Sequence, residues 1–219
     1  MSSQTQENYL KCIYKICERF PEGASTNAIA EGLETKAATV TDMLKKLAAQ
    51  KLINYQKYQA VTLTSKGKKA ALSIIRNHRL WEVFLVDKLK FTWNEVHDVA
   101  EQLEHIQSEE LIDRLDAFLG SPKFDPHGDP IPGKNGKMTV SKASPLSEAT
   151  VGSKVIVSGV LEHSTEFLAY LNEVKLTLGQ KVFVEKVVAF DLSMQLNINK
   201  KDNLFISHQV AKNILVLCQ

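Results

Sequence analysis

Residues 25–53 read STNAIAEGLETKAATVTDMLKKLAAQKLI, and the two short helices in this stretch decide the fold. Ser25 or Thr26 supplies an N-cap, and Ile29, Ala30 and Leu33 then recur at helical spacing. After a short turn, Val40, Leu44 and Leu47 form the buried stripe of a second helix. Two short helices joined by a tight turn, the second opening on polar residues, make a helix-turn-helix. Upstream, ENYLKCIYKICERF (7–20) is a further amphipathic helix with Tyr9, Ile13, Ile16 and Phe20 near one face, ended by Pro21 and Gly23. Downstream, LINYQKYQAVTLTSKGKKAA (52–71) alternates Ile53 and Tyr55, then Val61 and Leu63, about a polar tip, which predicts a two-stranded hairpin. Together these make a winged helix-turn-helix.

In that geometry the start of the recognition helix enters the major groove of double-stranded DNA. Lys36, Ala37, Ala38, Thr39, Thr41 and Asp42 are the candidate base readers. Lys45, Lys46, Lys57, Lys66, Lys68 and Lys69 are candidate phosphate contacts, which give affinity rather than sequence preference. A three-helix interaction module with a solvated basic face is the competing reading.

Charge is distributed unevenly. Residues 1–70 carry 11 basic and 6 acidic side chains, residues 71–120 carry 5 and 10, and the whole chain is only +2. A basic first third beside an acidic, His-containing middle predicts a polyanion partner for one and cations for the other. With 219 residues and 44% hydrophobic content, each segment can bury a core. There is no run of about 18 apolar residues to span a membrane, and the start MSSQTQENYL lacks signal-peptide features. The expected location is the cytoplasm. Cys12, Cys17 and Cys218 form no C-x-x-C pair and are expected to be reduced, buried residues.

The middle segment carries the second signal. HDVAEQLEHIQSEEL (97–111) reads as an amphipathic helix with Val96, Val99, Ala100, Leu103 and Ile106 on its buried stripe. His97, Glu101, Glu104 and His105 form another stripe of imidazoles and carboxylates only, and no Lys or Arg lies between Asn94 and Arg114. Residues 70–90 form a helix with Leu80, Trp81, Phe84, Leu85 and Leu89 as apolar surface and His78 and Glu82 one turn apart. Packing the two helices together gathers His78, Glu82, His97, Glu101, Glu104 and His105 around one acidic pocket, which is costly without a cation.

RNHRLWEVFLVDKLKFTWNEVHDVAEQLEHIQSEEL (76–111) followed by FDPHGDPIPG (124–133) resembles the diphtheria toxin repressor family of metal-dependent transcription regulators. In that family H-R-x-x-E, V-H-x-x-A-x-x-x-E-H and G-x-P-I-P occur in this order, and the resemblance extends over residues 5–133. It implies a mainly α protein with a small β component in three parts. These are a winged helix-turn-helix DNA-binding domain (1–70), a helical metal-binding and dimerisation domain (71–140), and a linker with a small SH3-like β-barrel domain of FeoA type (141–219). The last segment reads by itself as short strands with turns at Leu178–Gln180 and Lys200–Asn203.

The resemblance also implies ligands. Glu101, Glu104 and His105 match the principal metal site, to which the first helix adds a ligand at the position of Asn8. His78, Glu82 and His97 match a second site, His78 being shared with the main one in some manganese-type members. Glu101 stands where the iron-type branch has cysteine and the manganese-type branch glutamate. Asn8 and Lys11 stand where the latter tends to have aspartate and, in some members, glutamate. Asp125 and His127 occupy a loop where some three-domain members place a ligand pair. His163 and Glu166 fall where the C-terminal domain can add ligands, an ordinary polar loop being the alternative for each pair. An N/O set without thiolate suits Mn²⁺ or Fe²⁺, with Zn²⁺ or Co²⁺ able to substitute.

The expected protein is thus a metal-activated homodimer on a near-palindromic DNA operator, repressing metal-uptake genes, with neither membrane nor small organic substrate as partner and no enzymatic activity. The alternatives are a di-metal carboxylate redox enzyme, or a metal-binding protein with a basic interaction module. The first needs Glu-x-x-His on two helices, whereas Glu101-x-x-Glu104-His105 lies on one only.

Overall fold

The computed structural model describes residues 3–198 and 202–218. It divides into two compact units, one of residues 1–78, 102–108 and 132–137, the other of residues 79–101, 109–131 and 138–219.

The first unit begins with α1 (Gln4–Arg19), whose N-terminus is closed by a reciprocal capping box between Ser3 and Gln6. It buries Tyr9, Leu10, Ile13 and Tyr14 and, on the same stripe, the charged Glu7 and Lys11. The expected Phe20 is instead 54% exposed, because the helix stops at Arg19 and Phe20 lies in its C-cap. Ser25 caps α2 (Thr26–Gly32), its hydroxyl accepting from the Ala28 amide at 3.1 Å. The expected recognition helix, α3 (Ala37–Ala49), buries Val40, Leu44 and Leu47 completely. The wing is β1 (Ile53–Asn54) paired antiparallel with β2 (Thr62–Leu63), extended by a bridge between Ala24 and Val61.

α4 (Ser65–Asp87) starts five residues before the expected helix, on a turn in which the Thr64 hydroxyl accepts from the Gly67 amide at 3.1 Å. Gly67 is obligatory there, since a Cβ would lie 1.9 Å from the Leu52 carbonyl oxygen. The acidic middle segment is two helices rather than one, α5 (Val96–Leu103) and α6 (Glu109–Phe118). Glu104 leaves the helix because burial and long-range partners claim it, the Asn77 amide donating to its carbonyl at 3.2 Å. Ile106 and Leu89, expected inside, are 37% and 54% exposed.

In the second unit, Leu80, Val83, Ile112, Leu115 and Ile131 form one apolar cluster. A larger one lies under a six-stranded antiparallel sheet of β3 (Ser144–Pro145), β4 (Lys154–Val160), β5 (Lys181–Val187), β6 (Met194–Ile198), β7 (Asp202–Ile206) and β8 (Ile214–Cys218). Its order is β3-β8-β4-β5-β6-β7, with bulges between Val157 and Gly159 and between Val184 and Lys186 that bend β4 and β5. Two helices join the strands, α7 (Thr165–Glu173) and the one-turn α8 (His208–Ala211). A turn at Leu178–Gln180 precedes β5 as expected, and the expected Lys200–Asn203 turn lies largely outside the described residues. Cys12 and Cys17 are half-buried and Cys218 is exposed at the end of the edge-proximal β8, against the expectation of three buried thiols. Among the described residues no helix is long and apolar enough to cross a membrane.

Candidate metal centre

The second unit holds three buried donors together. Glu82 of α4 and Asp125 and His127 of the DPHGDP loop each offer one ligand atom, all within 4.8 Å of one another. The loop is built to present them. The Asp125 carboxylate accepts from its own loop, from the His127 amide at 2.8 Å and the Asp129 amide at 3.0 Å. Arg79 clamps the outer side, 3.4 Å from Asp125 and 2.8 Å from Asp129, while donating to the Pro130 carbonyl at 2.6 Å. Gly128, at φ +87°, lets the loop lie against β4, where a Cβ would stand 2.2 Å from the Ser158 carbonyl oxygen. The Val160 amide then donates to the His127 carbonyl at 2.9 Å.

The imidazole of His127 is oriented from both sides. Its Nε2 is 2.8 Å from the Trp93 carbonyl, which can only accept, so Nε2 carries a proton and Nδ1 faces the Glu82 carboxylate at 3.6 Å. A backbone carbonyl holding one ring nitrogen while the other turns to a carboxylate cluster is the usual outer support of a metal-ligating histidine. The ring lies parallel to Trp93 and stacks on His163 at 5.2 Å. Burial pushes the Asp125 carboxyl up, with the Glu82 and Asp129 charges adding to it against Arg79 and His127, to about 7. Burial works to lower His127, but Glu82, Asp125 and the Trp93 carbonyl raise it to about 9. Such a cluster is short of positive charge, and its oxygen and nitrogen donors fit a divalent ion.

His97 and Glu101, on α5, are nearer solvent. His97 Nδ1 is 3.5 Å from Glu82 and its Nε2 is 3.6 Å from Glu101. His163 is exposed beyond its stack on His127, and Glu166 is exposed in the first turn of α7.

The other expected ligands fall in the first unit, where His78, Glu104 and His105 are already paired. Lys11 Nζ donates to both oxygens of Glu104, at 2.7 and 2.8 Å, and His78 Nδ1 lies 2.6 Å from the same carboxylate. Glu7 holds His105 Nδ1 at 2.6 Å and accepts from Gln107 at 2.9 Å. Burial works to raise the Glu104 carboxyl, but the His78 hydrogen bond and the Lys11 charge outweigh it and hold it below the usual range. Asn8 Oδ1 is buried with no hydrogen-bond partner. As arranged, this set does not fit a metal, because a resident ammonium already occupies Glu104. Glu7 escaped the sequence reading although it shares a helix face with Lys11, one turn away. Its signal was a carboxylate in line with the buried residues of an amphipathic helix.

Of the expected base readers, Lys36, Ala37, Ala38, Thr39 and Asp42 are exposed at the start of α3 and Thr41 is partly so. Asp42 pairs with Lys45 at 3.2 Å. Lys46 is exposed, Lys57 lies over the Tyr58 ring, Lys68 over Tyr14, and Lys66 reaches the Gln50 carbonyl at 3.4 Å. Tyr58, beneath Lys57 at the wing tip, is 93% exposed.

Three family models match in chain order: an iron dependent repressor N-terminal DNA binding domain over residues 1–61, an iron dependent repressor metal binding and dimerisation domain over 64–133, and a FeoA domain over 144–217. The iron-dependent repressor IdeR of Mycobacterium leprae (strain TN) is 30% identical, over 97% of this chain and 96% of its own. A solved manganese-dependent transcriptional repressor in complex with manganese is 35% identical, covering 98% of this chain and 100% of its own, with a TM-score of 0.83. ScaR with bound Zn²⁺ is 33% identical, covering 97% and 98%, with a TM-score of 0.74. With its DNA-binding, metal-binding and small sheet domains in the same order, the chain belongs to the iron-dependent repressor family of metal-dependent, DNA-binding transcriptional repressors.

Proposed function

We propose that this repressor is switched by a divalent ion, Mn²⁺ or Fe²⁺, held by Glu82, Asp125 and His127, with His97 and His163 flanking the cluster. The observation that carries this is the orientation of His127, whose Nε2–H is fixed on the Trp93 carbonyl so that Nδ1 turns toward the buried Glu82 carboxylate, with Asp125 in the same cluster. Oxygen and imidazole donors without thiolate suit these ions, with Zn²⁺ and Co²⁺ as substitutes in vitro. Manganese in one similar repressor and Zn²⁺ in another support the ligand class. A bound ion supplies the positive charge that the cluster lacks.

The three segments 1–70, 71–140 and 141–219 act as DNA-binding, metal-binding and dimerising, and SH3-like parts. Two protomers place two α3 helices on a near-palindromic operator, with Lys36, Ala37, Ala38, Thr39, Thr41 and Asp42 at the base edges and Lys45, Lys46, Lys57, Lys66 and Lys68 at phosphates. Repression of metal-uptake genes follows from binding only when metal is plentiful, and the site of action is the chromosome in the cytoplasm.

The test is operator affinity against free Mn²⁺ for the wild type, Asp125→Ala and His127→Ala. Metal-dependent binding is expected to be lost in both variants while metal-independent, low-salt DNA binding persists. If both variants respond to Mn²⁺ like the wild type, the ion is held elsewhere.

A further inference from the structure

The Glu104 cluster is where the ligand pattern and the structure disagree. Lys11 is only 7% exposed, and its ammonium sits between both oxygens of a carboxylate that is 2% exposed. A Lys with that little exposure has given up most of its hydration, and its charge is balanced here by Glu104. The remaining faces of the cluster are closed too. His78 takes the second Glu104 oxygen, Asn77 takes the Glu104 carbonyl, and Glu7 is committed to His105 and Gln107.

We propose that Lys11 is a tethered cation that competes with metal for Glu104, so that this cluster stays closed at metal concentrations that fill the Glu82–Asp125–His127 cluster. The second half of the statement rests on the proposed function. An ion entering at Glu104 must expel a buried ammonium from a two-oxygen contact and leave it without a counter-charge, which weakens the ion's binding by about a hundredfold. Asn8, three residues before Lys11 on α1, offers only a neutral amide oxygen in compensation. The protein therefore takes one tight equivalent of divalent ion per protomer.

The test is Mn²⁺ stoichiometry by equilibrium dialysis on the full-length protein, with circular dichroism to confirm folding. The wild type is expected to bind one tight equivalent. Lys11→Met should bind two, the second about a hundredfold more tightly than in the wild type, and Lys11→Arg, which keeps the charge, should bind one. Lys11→Met combined with Glu104→Gln should return to one, as should Glu104→Gln alone, which also serves if Lys11→Met fails to fold. Two tight equivalents in the wild type, reduced to one by Glu104→Gln, would overturn the proposal, as would a folded Lys11→Met that still binds one. Failure of the other cluster reads differently: Glu82→Gln would then leave the single tight equivalent of the wild type in place, whatever residue 11 does.

Discussion

At the scale of residues, the proposed site predicts that protonation and metal binding are coupled at His127. The apo cluster keeps a proton on His127 up to about pH 9, whereas Asp125 gives up its own near 7. A ligating imidazole must be neutral at the coordinating nitrogen, so loading between these values releases about one proton per ion. Mn²⁺ affinity should then rise about tenfold per pH unit from about 7 to about 9 and level off above. Calorimetry in two buffers of different ionisation heat measures the proton directly, and a pH-independent affinity across that window would contradict the arrangement. Glu104 has the opposite linkage. Its folded pKa is depressed, so its stabilisation is fully present above the unfolded carboxylate value of about 4.3 and is lost as pH falls through the lower folded value. Acid unfolding of Glu104→Gln should lack that component. His127 and Glu104 both stood out in the sequence as chemistry-bearing residues. Their partners Trp93 and Lys11 did not, because a backbone carbonyl and a lysine 93 residues away leave no local pattern.

At the scale of elements, two features shape the proposed site and the proposed reading head. The DPHGDP loop is held against β4 by Gly128, where a side chain meets backbone at 2.2 Å in addition to the positive φ. Gly128→Ala should therefore move Asp125 and His127, lowering both thermal stability and Mn²⁺ affinity, whereas Gly120→Ala, at positive φ but with nothing within 4 Å of the new Cβ, should affect stability alone. In α3, Leu44 is completely buried, and Leu44→Ala is expected to cost about 2–5 kcal/mol in a denaturant titration. On its exposed face Asp42 holds Lys45 at 3.2 Å. Lys46→Ala should reduce the salt slope of DNA binding by about one unit. Asp42→Ala should strengthen non-specific binding by removing a negative charge and releasing Lys45, and should relax the preference at the base it faces; unchanged affinity and preference would place Asp42 away from the DNA. The winged helix-turn-helix was legible because apolar spacing, Ser25 as cap and the hairpin alternation are local signals. The end of α5 at Leu103 was not, since the apolar stripe runs on to Ile106 and only the burial of Glu104 breaks it.

At the scale of the whole molecule, an ion that binds the folded state and not the unfolded one stabilises it by mass action, by about 2.7 kcal/mol at a hundred times its dissociation constant. Melting temperature should rise with Mn²⁺ in the wild type and fall back on chelation, and Asp125→Ala should show a flat response. The sequence by itself determined the order of the three parts, the candidate recognition helix and its basic surroundings, and the N/O donors of a candidate metal centre, because helical period, charge and motif spacing are written along the chain. Only the tertiary structure decided which donors are available. It joined Glu82 to a loop more than forty residues later and turned His127 toward it, and it gave Glu104 to an ammonium instead of leaving it open. The physical reason is that a carboxylate's role depends on the charge that faces it after folding, and that charge arrives from distant residues whose spacing along the chain carries no trace of the contact.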